Sequence, residues 1–124
     1  MIGVAHGLRV FVCTQPADMR RSFDGLAGMT ATIIEQDPLC GHLFVFRNRN
    51  RDRVKILYWD RDGLAIWYKR LEKGTFQFPT DLQSREERLP RAEISVEELS
   101  WLLGGVDLRS IERRKRFKPP TKPR

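Results

Sequence analysis

Cysteine is nearly absent. Cys13 and Cys40 are too few to staple a fold or to hold a metal, and as free thiols they suit a reducing cytosol. The two histidines, His6 and His42, have no ligand spacing and no nucleophile beside them, and there is no glycine-rich phosphate loop or Cys–His cluster. Long apolar runs are missing as well. None approaches the ~18–20 residues that a membrane span needs, and Met1 to Cys13 lacks the basic region and cleavage site of a signal peptide. Converging carboxylates for metal-assisted catalysis are also wanting. Asp52, Asp60 and Asp62 are the nearest approach, but Asp60 and Asp62 lie in a turn, beside Gly63, that favours aspartate for its own geometry. These absences lead to the expectation of a cytoplasmic protein with no membrane association, cofactor, metal or catalytic residue.

What is present is charge, unevenly placed. The chain has 124 residues, room for one domain with one core, and a formal net charge of +7. Residues 109–124 hold eight cations and one acid; removing them from totals of 23 basic and 16 acidic residues leaves fifteen of each in 1–108. The sequence therefore predicts a neutral globular body over 1–108 and a flexible basic tail over 109–124. Only Ile111 and Phe117 are large and apolar in that tail, and Pro119, Pro120 and Pro123 interrupt it, so it has little to bury against the entropy of ordering.

Within the body, Leu8 to Cys13 reads as a short strand stopped by Gln15-Pro16. Asp18 then stands as an N-cap before Met19, Phe23, Leu26, Ala27, Thr30, Ile33 and Ile34, one helical stripe that runs to the Asp37-Pro38 stop. Gly25 and Gly28 weaken it by roughly 1 kcal/mol each relative to alanine. Four strands follow by pattern: Leu43–Phe46, Val54–Trp59, Leu64–Lys69 and Thr75–Pro79, separated by Arg47–Arg53, Asp60–Gly63 and Lys73-Gly74. Thr80 to Pro90 is a charged connector. Ser95-Val96-Glu97-Glu98 is a capping box for a second helix with Leu99, Leu102 and Leu103 on its apolar face. The expected fold is α+β: an antiparallel β-meander of four to five strands, one covering helix and a C-terminal helix.

Three groups of cations are candidate phosphate contacts. In the tail, Arg113, Arg114, Lys115, Arg116 and Lys118 give sequence-independent affinity for a polyanion; the plainer alternatives are solubility or an acidic protein partner. Arg47, Arg49, Arg51, Arg53 and Lys55 occupy odd positions, which a continuous strand would place on one face. The intervening Asn48, Asn50 and Asp52 favour a hairpin tip instead. Arg20 and Arg21 open the first helix against its dipole, offset by local pairs (Arg20 with Asp24, Asp18 with Arg21) or by a bound anion. Sheet aromatics such as Tyr58, Trp59, Trp67 and Tyr68 are core or interface, with base stacking on an open face as the other possibility.

Four ordered blocks carry a resemblance: Asp18 to Leu26, Gly41 to Arg49, Lys55 to Gly63, and Trp67 to Gly74. Together they resemble the TnpB-type accessory proteins, the second small open reading frame, of bacterial insertion sequence family sixty-six. The Leu-Leu-Gly-Gly-Val-Asp-Leu segment and the basic tail resemble the family's ending. The resemblance implies a role in transposition beside a separate, larger transposase that carries the catalytic acids, and it transfers no catalytic residue. Lys69 and Arg70, in the last block, join the candidate contacts. The expected partners are DNA at the element ends, the transposase and a second copy of the chain. The expected function is non-catalytic nucleic-acid binding in aid of transposition; the alternative is a protein adaptor with little DNA contact.

Overall fold

A computed structural model describes residues 7–85 and 88–104. Five strands form one sheet in the order β4-β3-β2-β1-β5: β1 (Val10–Cys13), β2 (Leu43–Arg47), β3 (Arg53–Asp60), β4 (Gly63–Arg70) and β5 (Arg91–Ile94). The meander of β2, β3 and β4 follows the turn signals, with Asp60 paired to Gly63 across a two-residue reversal. The sheet as a whole is mixed: β1 runs parallel to β2, in register Val10 with Leu43, and antiparallel to β5. A parallel pair needs a long crossover, and residues 14–42 supply it with the first helix. Flanked on both sides and covered on both faces, β1 and most of β2 are continuously buried, which is why they read as unbroken apolar runs.

The first helix is shorter and less regular than its stripe suggests. Asp18 does not cap it; its carboxylate accepts from the Arg20 backbone N–H at 2.9 Å in a turn ahead of the helix. Helix α1 spans Phe23–Met29 and widens to a π-helical turn over Thr30–Ile34. Thr30 and Thr32 donate their hydroxyls to the carbonyls of Leu26 and Gly28, four residues back, at 2.9 and 2.8 Å. Such bonds compete with the backbone ladder and bend helices. Glu35, in the left-handed region at φ 62°, ends the turn before Asp37-Pro38 is reached.

Two expectations about the sheet change. Thr75–Pro79 is not a strand: the Leu71 N–H donates to the Asp52 carbonyl and the Phe76 N–H to the Arg51 carbonyl, so the chain leaves β4 toward the β2–β3 hairpin and plants Phe76 in the core. The added strand is β5, whose Ala92 and Ile94 point inward between Arg91 and Glu93. Helix α2 (Val96–Leu103) begins at the capping box, with Ser95 Oγ accepting from the Glu98 N–H at 3.0 Å and Glu98 accepting from the Ser95 N–H at 2.9 Å.

Both sheet faces are therefore packed. Phe11, Cys13, Phe44, Phe46 and Leu57 meet Leu26 and Ile34 on the α1 side. Val10, Val12, Val45, Val54, Ile56 and Ile94 meet Phe76, Leu82, Leu99 and Leu102 on the α2 side. Phe44, Phe46 and Phe76 are fully buried, each contributing ~1.5–3 kcal/mol of apolar burial. The second face is covered by α2 and the segment before it, so it offers no open stacking platform for bases.

Candidate nucleic-acid interface

The β2–β3 hairpin is shaped by one asparagine. Asn48 Oδ1 accepts from the backbone N–H groups of Asp52 and Arg53, each at 3.1 Å, and its amide nitrogen donates to the Asp52 carboxylate at 2.6 Å. The Arg51 N–H closes the turn on the Asn48 carbonyl at 3.2 Å, with Arg51 itself at φ 59°. Arg49, Asn50 and Arg51 are thereby exposed at the tip.

The turn also separates the odd-numbered cations. Arg47 pairs across the ladder with Val54 and so lies on the α2 face, whereas Arg53 and Lys55 share the α1 face with Leu57. Five cations on one face is thus not the arrangement. The hairpin is a ridge between two depressions. On one side, Arg47 and Arg51 border a hollow of about 320 Å³ floored by Phe78, Pro79 and Leu82. On the other, Arg20, Arg49 and Arg53 border a hollow of about 370 Å³ with Asp18, Asn48 and Asn50.

Not every candidate faces outward. Lys55 is only 8% exposed; its ammonium donates to the carbonyls of Met19 and Arg21, both at 2.8 Å, and sits 4.7 Å from the Tyr68 ring centre. It ties the turn before α1 to the sheet, and its donors are spent there. Lys69, half-buried on the α2 face, donates to the Leu103 carbonyl at the end of α2 at 3.0 Å. Arg47 braces the Thr14 carbonyl at 2.5 Å, and burial, then the nearby Arg51 charge, pushes its proton affinity down. Each of the three is thus tied to a main-chain carbonyl of the fold.

Arg20 takes a different partner from those expected. Its guanidinium binds Asp18 through Nε and Nη2, the latter at 2.7 Å, and these bonds hold the Asp18 carboxyl at about 2. The Arg20 side chain nevertheless remains 90% exposed. Arg21 is exposed and its side chain lies over Gly25, where an added Cβ would stand 3.1 Å from the Arg21 Cβ. Arg53 and Arg70 are directly opposed in the β3–β4 ladder, a like-charge placement that costs stability, and Arg70 pairs with Glu72 at 3.1 Å. The register thus brings Arg70 to the hairpin arginines, which spacing alone did not reveal. Arg113, Arg114, Lys115, Arg116 and Lys118 lie outside the described residues.

The opposite end of the sheet holds Asp60, Arg61 and Asp62 in the β3–β4 turn and the Arg9–Glu93 pair at 2.8 Å. Among the described residues, no three His, Cys, Asp or Glu side chains gather as a metal site. No helix there is long and apolar enough to cross a membrane.

The chain is similar to known proteins over most of its length. The uncharacterized protein y4jC of Sinorhizobium fredii is 40% identical over 122 residues, 98% of each chain. The uncharacterized protein y4hO of the same organism is 34% identical over 109 residues, covering 88% of this chain and 90% of its own. No solved structure matches. The family described as "IS66 Orf2 like protein" matches residues 8–113, which include the whole sheet, both helices and the arginine hairpin. The chain belongs to this IS66 Orf2-like family, and its role is that of an accessory protein in transposition.

Proposed function

We propose that the protein is a non-catalytic nucleic-acid-binding factor that grips phosphates with the hairpin end of its sheet and assists a separate transposase. The observation that carries the reading is the gathering of Arg20, Arg49 and Arg53 around one hollow, with Arg70 opposed to Arg53. Like charges set this close lower stability unless an anion offsets them, and a nucleic-acid backbone supplies anions at close, regular spacing. Arg51 extends the same surface over the ridge. The reading takes DNA at the element ends, the element's transposase and a second copy of the chain as partners, in the cytoplasm.

The basic tail adds sequence-independent affinity. Lys69 holds the last turn of α2, so the chain departs toward residues 105–124 from the end of the sheet that carries Arg53 and Arg70.

The test is duplex binding by the full chain, by Arg49→Gln/Arg51→Gln/Arg53→Gln, and by a chain lacking residues 109–124. The triple variant is expected to lose about 10²–10³-fold in affinity at low salt, at roughly 1–1.5 kcal/mol per phosphate contact. Its circular dichroism should be unchanged and its melting temperature no lower, since Arg53→Gln relieves the like-charge pair with Arg70. The truncation should flatten the salt dependence further. Undiminished binding in the triple variant would refute the hairpin's part. Capture of the nuclease-treated transposase without any DNA binding would favour the adaptor role instead.

A further inference from the structure

Strand β4 is an edge with no strand on its outer side among the described residues, although it is as long as β3, at eight residues each. Edge strands are usually shortened, bulged, kinked by proline or guarded by charge along their length. Here Gly63–Tyr68 has none of these devices, Leu64, Ala65, Ile66 and Trp67 are only half-buried, and Tyr68 is 47% exposed. In an antiparallel ladder alternate residues turn their N–H and C=O groups away from the neighbouring strand, so β4 presents a row of unclaimed backbone partners.

We propose that this edge pairs with the same edge of a second copy of the chain, joining two five-stranded sheets into one. A two-fold axis perpendicular to the sheet keeps the α1 face of one copy continuous with the α1 face of the other, which requires paired residues of the same parity. Centring the axis on Ile66 sets Leu64 opposite Tyr68, Ala65 opposite Trp67, and Asp62 opposite Arg70, each twice by symmetry. Moving the centre to Trp67 instead sets Asp62 opposite Glu72 and Leu64 opposite Arg70. The Ile66 register alone of these two matches apolar with apolar and acid with base. Arg70 already touches Glu72 at 3.1 Å, but that pair is exposed and is a weak competitor. In this dimer the two hairpin ends point in opposite directions, a geometry for holding two duplexes apart.

The pairing rests on the functional reading only in counting a second copy among the partners; measured without nucleic acid, it can fail while phosphate binding stands. The experiment is sedimentation of the nuclease-treated full chain from low to high micromolar, under reducing conditions so that exposed Cys40 cannot link copies. The expected mass is that of two 14.5 kDa chains. Asp62→Arg faces Arg70 with a second cation, and Arg70→Asp faces Asp62 with a second acid, so each variant alone should dimerise at least about tenfold more weakly. Mixed in equal amounts, the two variants restore both opposite-charge pairs and should recover the dimer. Asp62 lies in the turn just before β4 and Arg70 is the last residue of β4, so the eight-residue strand, roughly 27 Å at ~3.4 Å per residue, separates them and recovery on mixing can arise only between chains. A monomer at every concentration, a dimer indifferent to both substitutions, or no recovery on mixing would overturn the proposal.

Discussion

At the turn end of the sheet, Arg9 closes on Glu93 and Arg61 stands between Asp60 and Asp62; at the hairpin end, Arg49 and Arg53 border one hollow, Arg51 the other, and Arg70 opposes Arg53, with Asp18, Asp52 and Glu72 as acids among the described residues there. Of those three acids, Asp18 is held by Arg20, Asp52 by Asn48, and Glu72 by Arg70. The body of the chain is neutral in sum, yet its charge is sorted by position. A net count of zero therefore conceals a basic end, and the contrast between the ends turns on which cations are spent on internal partners and which remain outward.

The sharpest way to break that contrast is through a cation on the inward side of it. Lys55→Met keeps the length of the side chain but removes the ammonium from the Met19 and Arg21 carbonyls. Leaving two acceptors in a buried setting should lower stability by about 2–4 kcal/mol in urea unfolding. The salt dependence of duplex binding should not change, because no phosphate contact is lost. A flatter slope would put Lys55 back on the surface.

Next in size is the Arg85 clamp, where a basic residue is held at the start of α2, donating to the Glu93 carbonyl at 3.1 Å and to two carboxylates. Arg85 binds Glu98 at 2.7 Å and Asp81 at 3.0 Å, and the Arg85 bonds hold the Glu98 carboxyl at about 2, below its ordinary 4.5. A carboxyl depressed on folding stabilises the native state fully above about 4.5, and that stabilisation drains away as pH falls toward about 2. Glu98→Gln keeps an acceptor for the Ser95 cap but loses the charge; it should cost about 1–3 kcal/mol at neutral pH. It should also remove much of the loss of melting temperature between pH 4.5 and 2. DNA affinity should stay as it was.

The smallest effect comes from helix α1. Gly28 is exposed and a Cβ there would meet nothing within 4 Å, so Gly28→Ala should stabilise by about 0.5–1 kcal/mol. Gly25→Ala should not, since its Cβ would press on Arg21 at 3.1 Å. Thermal melts of the two variants separate the cases, and neither change alters the charge at either end.

Much of this was legible from residue order. Alternation and turn chemistry marked β2, β3 and β4, and Ser95 with Glu98 marked the start of α2. β5 escaped because it is four residues long, two of them charged, in a segment where an edge strand resembles a connector. The thinning of the first helix depended on where Thr30 and Thr32 sent their hydroxyls, which a periodic stripe does not encode. The arginine hairpin was visible as a motif, but its partition was not. Which face Arg47 and Arg53 occupy depends on the number of residues in the turn, and the inward course of Lys55 depends on the carbonyls that α1 brings to it. Arg70 was already a candidate from the last resemblance block, but only strand register set it opposite Arg53.

The central claim is that outward cations at one end of the sheet bind phosphate and those at the other end do not. It is tested most directly by the salt dependence of duplex binding for Arg49→Gln/Arg53→Gln beside Arg61→Gln. At ~0.9 per phosphate contact, the log–log slope should fall by about 1.8 in the hairpin variant and stay at the wild-type value for Arg61→Gln. Equal slopes in all three proteins, or a fall confined to Arg61→Gln, would contradict the account.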